Sequence, residues 1–199
     1  MHPNPAFREK DHARLEKLIR DAGFGMVFLT TPDGPRVAHV PVLSDGAGDI
    51  RFHLARNNAL TPHLEGARAL VTVNGPDGYI SPRWYDNRDT VPTWDYAALE
   101  MEGPVRRLDD DELEQLLHDV ITTFEGQLPG DPWRASESSE KVWAGLFRGI
   151  TGFSMKVEEW RPTFKLSQKK NGVERMRIAE GLDAAGRFDL AEAIRECPQ

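Results

Sequence analysis

The hydrophobic residues change period several times along this chain, and each change predicts an element. Leu15, Leu18, Ile19 and Ala22 recur at helical spacing, with Asp11 placed to cap that helix and Gly23 to end it. Gly25 to Thr30 (G-M-V-F-L-T) is then a nearly continuous apolar run, which predicts a buried strand, and Pro32-Asp33-Gly34 predicts a turn. Arg36 to Leu43 reads as a second strand, Ser44 to Gly48 as another turn, and Ile50 to Ala55 as a third strand. Thr61-Pro62 opens a short helical turn, with Thr as cap and Pro at the first helical position. Ala69 to Val73 predicts a fourth strand and Ala98 to Val105 a fifth. Gly152 to Trp160 predicts a sixth, in which Phe153, Met155 and Val157 face one way.

Helices separate the last two strands. Asp109 and Glu112 fit a capping box, and the acidic run from Asp109 suits a first helical turn better than a metal site. Leu113, Leu116, Leu117, Val120, Ile121 and Phe124 follow on one face. Ser138 or Ser139 starts the next helix, through Val142, Leu146 and Phe147, after a polar loop from Gly126 to Glu137. Gly172 to Glu196 predicts two short helices broken near Gly186, whose mixed charges suit a solvated or docking face. Short strands at hairpin spacing with interposed helices predict a mainly β chain with α elements, built on an antiparallel barrel.

Composition narrows the function. A chain of 199 residues can bury a core, and 39% hydrophobic with 29% charged residues is ordinary for a water-soluble fold. No apolar run reaches the roughly 20 residues of a membrane span, the first residues lack the features of a secretory signal, and Cys197 has no second cysteine to pair with. The expectation is a cytoplasmic protein without membrane contact. A net charge of −7 opposes a broad electrostatic hold on nucleic acid, although Arg106-Arg107 and Lys165, Lys169 and Lys170 are local basic clusters.

The densest chemistry is Tyr79 to Tyr96 (Y-I-S-P-R-W-Y-D-N-R-D-T-V-P-T-W-D-Y), which holds every tyrosine of the chain and two of its five tryptophans. So many rings with so few aliphatic residues suit a surface that meets something flat, or else an ordered loop plugged into the core. Three weaker patterns accompany it. In Ala38-His39-Val40-Pro41 the proline removes a ladder donor, so the strand is an edge or is bulged there. In His53 to Asn58, Arg56 offers a planar fork for phosphate beside two asparagines that donate or turn the chain. Lys165-Leu166-Ser167-Gln168 supplies a charge and two hydrogen-bonding groups, or is an exposed basic linker. A metal shared by His39, His53 and His63 matches no standard spacing, so no metal is expected.

Taken in order, Ala38-His39-Val40-Pro41, His53 to Asn58, Tyr79-Ile80-Ser81 with Trp84-Tyr85, Val91-Pro92-Thr93-Trp94 and Lys165-Leu166-Ser167-Gln168 resemble the PaiB-type FMN-binding negative transcriptional regulators. The opening Pro5-Ala6-Phe7 is also similar to that family's N-terminus, so the resemblance covers nearly the whole chain. Asp95 stands where Asn is expected, and Lys169-Lys170-Asn171 where Asn-Arg or Asn-Lys is common. The resemblance implies a six-stranded antiparallel split β-barrel of the flavin-reductase and pyridoxamine-phosphate-oxidase type with peripheral helices. It implies one domain over residues 1–199, with 172–196 a helical extension packed on it, and a homodimer with FMN near the interface.

Mapped onto that expectation, Arg56, Asn57 and Asn58 hold the phosphate, with Lys165 and Gln168 as further candidates. Backbone groups of Ala38, His39 and Val40 face the edge of the flavin ring, with His53 nearby. Trp84, Tyr85 or Trp94, from either subunit, covers its face. No side chain stands out as catalytic; His39 and His53 could carry protons, but the sequence shows no partner for either. Three function classes stay open. The family label implies a negative transcriptional regulator, although no helix-turn-helix is visible and the charge opposes direct DNA binding. An FMN-dependent oxidoreductase using NAD(P)H and a haem-binding or haem-degrading split barrel are the alternatives, because one barrel hosts several functions.

Overall fold

In the computed structural model, which describes residues 2–197, helix α1 spans His12–Ala22. Asp11 caps it, its Oδ1 accepting from the Ala13 N–H at 3.0 Å. Gly23 ends it at φ +59°, and a Cβ there would lie 2.3 Å from Phe124 Cε1. Left-handed backbone and close approach both select glycine.

Strand β1 (Phe24–Thr31) turns through Pro32 and Asp33 into β2 (Gly34–Ser44), and β3 (Asp49–Ala55) follows. A four-residue helix α2 (Thr61–Leu64) precedes β4 (Arg68–Ile80) and β5 (Thr93–Arg107). Helices α3 (Asp110–Glu125) and α4 (Glu140–Phe147) then interrupt the sheet before β6 (Ile150–Lys156) and β7 (Glu159–Lys165). The chain closes with α5 (Gly172–Ala184) and α6 (Phe188–Glu196). Strands are hydrogen-bonded in the order β4-β1-β2-β3-β6-β5-β7, and β4 also pairs with β5. Six strands therefore form a closed ring, and β7 continues from β5.

The seventh strand corrects the expected count. The apolar alternation of Phe153, Met155 and Val157 lapses at Glu158-Glu159, and the backbone turns there, the Val157 N–H donating to Gly48 O at 3.1 Å and the Glu158 N–H to Glu102 O at 3.0 Å. The single strand expected there is β6 and β7. Both β4 and β5 are also longer than expected and take in the two ends of the aromatic segment, Tyr79-Ile80 and Thr93 to Tyr96. At α2, Thr61 is the first helical residue and Leu60 the cap, so the expected cap shifts by one position.

Contacts group the chain into two compact units. One comprises residues 19–73 and 101–160. Its interior is filled from alternate strand positions, with Val27, Val42, Ile50, Phe52, Val71, Met101 and Met155 all fully enclosed and Phe52 stacked on Phe153 at 5.8 Å. On the other face of the sheet, Leu43 joins Leu108, Leu113 and Leu116 in a second cluster that docks α3. Asp109 caps α3 reciprocally with Glu112, as expected.

The other unit comprises residues 2–18, 74–100 and 161–197. Here α5 and α6 pack on each other, and Ile178, Leu182, Leu190 and Ile194 are buried. Buried Arg175 donates to the carbonyls of Ile194 and Cys197, which closes the end of α6. The helices are as expected, but their packing is apolar and not merely a solvated face.

Candidate functional site

The first candidate site lies where β2 and β3 part. β2 pairs with β1 from Gly34 to Pro41, whereas its ladder with β3 covers only Val42 to Ser44 opposite Phe52 to Ile50. Beyond that ladder, Ala38 to Pro41 on β2 and His53 to Ala55 on β3 diverge. The sequence signal at Pro41 marks the start of this divergence. Val42 N–H donates to Gly23 O at 3.0 Å, on the β1 side. Strand alternation then turns the backbone groups of Val40 and Ala38 to β1 and those of His39 to the open edge. Of the three backbone positions expected to meet a ligand, only His39 has the required direction. The side chains of Ala38 and Val40 are buried in the barrel.

The exposed His39 imidazole stacks against Phe24, ring centroids 6.5 Å apart at 21°. Phe24 is 55% exposed, so a flat ring pair borders the open backbone edge. Sequence reasoning missed Phe24; the adjacency depends on the register Met26 opposite His39, which no local pattern reveals. His53 lies half-buried opposite Gly152, and its Nδ1 is enclosed without a hydrogen-bond partner. Burial pushes its imidazole below the ordinary value, so the neutral form prevails.

At the end of β3, the Arg56 side chain reaches across to the start of β6. Its Nε donates to Arg148 O at 2.9 Å and its Nη2 to Ile150 O at 3.1 Å, while the Arg56 N–H meets Gly149 O at 2.8 Å. Asn57 is exposed in the turn. Asn58 is partly committed, its Oδ1 accepting from Leu60 N–H at 2.9 Å. Thr61 donates its hydroxyl to Ala55 O at 2.9 Å, so this turn is fixed by its own side chains. With only four residues, α2 offers no helix terminus for an anion.

The remaining candidates gather in the other unit, around Asp95. This carboxylate is buried; Ser167 Oγ donates to it at 2.5 Å and Lys165 Nζ lies 3.4 Å from it. Lys165 also donates to Thr93 Oγ1 and Trp94 O. Burial raises the Asp95 carboxyl above the usual range, while Ser167 and Lys165 oppose that rise. Gln168 turns inward, its Oε1 accepting from Leu166 N–H and its Nε2 donating to Phe164 O, and Ser167 holds φ at +56° within that turn. K-L-S-Q is thus an ordered turn and not a free basic linker. Lys165 and Gln168 are engaged within it, which removes the basis for placing them on a phosphate.

Of the rings, Tyr85 is buried under Lys170, whose Nζ sits 3.5 Å from the ring centroid. Trp84 packs over Gly181, where a Cβ would come within 2.2 Å of the indole. These two plug their own unit. Trp94 differs: it is 50% exposed, its Nε1 donates to Asp77 at 2.8 Å, and it meets Tyr79 edge-on at 6.4 Å.

Comparison with known proteins decides the family. The model of the "Putative FMN-binding domain" family matches residues 1–159. Protease synthase and sporulation protein PAI 2 of Bacillus subtilis is 31% identical over 180 residues, covering 88% of this chain and 86% of that protein. The chain belongs to the PaiB-type FMN-binding family. Among solved structures, the FAD and haem binding protein of Mycobacterium smegmatis matches with a TM-score of 0.64 at 18% identity, over 88% of this chain and 80% of that one. The flavocytochrome Anf3 of Azotobacter vinelandii matches with a TM-score of 0.61 at 14% identity, over 82% and 72%. These likenesses establish the split-barrel fold.

FMN is the cofactor of this PaiB-type barrel. The residues at the parted strands fit such a group. An isoalloxazine edge needs backbone donors and acceptors, and His39 presents both on an edge without a ladder partner among the described residues. Phe24 and His39 supply flat surface, and Arg56 supplies a cation with donors beyond those engaged by the carbonyls.

Proposed function

We propose that the chain is a flavin-dependent redox protein that holds FMN along the open edge of β2, with its phosphate at the end of β3. The parting of β2 from β3 at Pro41 carries this reading. Backbone N–H and C=O of His39 orient the ring edge, and the Phe24–His39 pair lies beside it. Arg56 and Asn57 meet the phosphate, where a guanidinium fork suits a dianion. Bound FMN supplies the electron-transfer chemistry, and the protein contributes orientation and the exclusion of water. Burial favours the neutral imidazole of His53, and its Nδ1 has no hydrogen-bond partner among the described residues, which suits a hydrogen-bonding group and not a fixed charge. The homodimer that the family resemblance implies, with the flavin near the subunit interface, is part of the same proposal.

The test is NADH or NADPH oxidation by the purified protein with added FMN. Turnover that requires FMN and falls when Arg56 is replaced by Ala supports the reading. Its absence with either nucleotide, under conditions where FMN is bound, rejects the oxidoreductase role.

A second reading, negative transcriptional regulation, is favoured by the likeness to the Bacillus subtilis protein named for protease synthesis and sporulation. The net charge of −7 favours an indirect route over direct DNA contact. Sequence-selective, salt-sensitive DNA retention would restore the direct route. The haem reading predicts a Soret band on haem titration that shifts when His39 or His63 is replaced.

A further inference from the structure

We infer that the junction of α4 and β6, Arg148 to Ile150, forms the second wall of the phosphate site, with Arg148 as its second cation. This rests on the reading that places the FMN phosphate at Arg56. The junction is brought there by the β3–β6 ladder, which ends with Ala55 opposite Ile150.

Three bonds join Arg56 to this junction: backbone N–H to Gly149 O, Nε to Arg148 O and Nη2 to Ile150 O. The two side-chain bonds use the Nε–Nη2 edge of the guanidinium. A guanidinium has five donors in a rigid plane, so the adjoining Nη1–Nη2 fork is left free of the carbonyls and lies beside the junction. The carbonyls thus fix the plane of the fork before any anion arrives, which lowers the ordering cost of binding.

Arg148 is exposed and ends α4, one residue before the backbone contact with Arg56. Among the described residues, neither Arg56 nor Arg148 faces a carboxylate, whereas Arg51, Arg68, Arg106 and Arg177 do. Two uncompensated arginines at one corner of a chain with net charge −7 form a local anion site. The site selects FMN over riboflavin, since only FMN carries the phosphate. It also links loading to α4, a helix with no fully buried residue, held on α3 by Trp143 Nε1 to Glu114 at 2.9 Å.

The experiment titrates FMN and riboflavin, by flavin fluorescence, into the full chain and into its Arg148→Gln and Arg148→Lys variants. Arg148→Gln is expected to weaken FMN binding about tenfold, as for loss of one charge-assisted contact, and to leave riboflavin binding unchanged. Arg148→Lys should recover most of the loss. FMN, but not riboflavin, should slow amide exchange across residues 140–150. FMN affinity of the Gln variant within about twofold of wild type, or an equal loss for both flavins, overturns the inference. If the wild-type chain discriminates FMN from riboflavin while Arg148→Gln changes nothing, the site at Arg56 stands and only this wall is wrong. If the wild-type chain binds neither flavin, the site itself is rejected and the wall with it.

Discussion

Asp95 is a carboxylate enclosed by its own unit, and its charge is tolerated because Lys165 and Ser167 meet it there. Removing one partner of such a pair leaves the other uncompensated. Lys165→Met should therefore destabilise the chain by about 3 kcal/mol, read from denaturant midpoints; a loss below about 1 kcal/mol would show that Ser167 alone suffices. His53 carries a pH signature. Burial depresses its pKa, so the unfolded chain takes up the proton first as pH falls. Its contribution to stability is complete above the unfolded value of about 6.5 and is lost as pH drops below it. Wild type should lose more stability than His53→Leu between about pH 7 and 5.5, and parallel melting curves would contradict this. From sequence, the residue types at Arg56, Lys165 and Gln168 were legible but their tasks were not. Lys165 meets Thr93 and Asp95 across some seventy positions, and Arg56 meets carbonyls more than ninety positions away.

At the scale of elements, local signals were readable and pairings were not. The Asp109–Glu112 capping box is complete within four residues, and it formed as read. Asp109→Ala should cost about 1 kcal/mol in thermal or denaturant unfolding. The break between β6 and β7 coincides with a lapse of alternation at Glu158-Glu159, a short signal beside three well-placed apolar residues, and bonds to Gly48 and Glu102 fix it. Gly103 is the steric counterpart: a Cβ there would lie 1.8 Å from Lys156 O. Gly103→Ala should cost about 3 kcal/mol or more, since backbone must move to admit the methyl. Gly145, in α4, has nothing within 4 Å of such a Cβ. Gly145→Ala should instead stabilise by up to about 1 kcal/mol, which makes the pair an internal control for the strand and helix environments.

For the whole molecule, the order of motifs was more informative than any one of them. That order indicated the PaiB-type barrel, and the family match over residues 1–159 agrees. The opening of β2 at Pro41 was readable as an edge, but which backbone groups it freed depended on the register with β1. The aromatic segment was the least transparent: two of its rings, Trp84 and Tyr85, fill their own unit, whereas Trp94 stays half exposed. Among the described residues no helix is long and apolar enough to cross a membrane. The acidic balance predicts that nonspecific DNA is not retained at physiological salt, which a filter-binding series over salt would check.

The central claim is a phosphate-reading flavin site at the parted strands. The most direct measurement is a titration of the purified chain with FMN and, separately, with riboflavin, followed by flavin fluorescence and absorbance. The account predicts tight FMN binding, riboflavin binding weaker by at least about tenfold, and loss of that difference in Arg56→Ala. Equal affinity for the two flavins, or binding of neither, would contradict it.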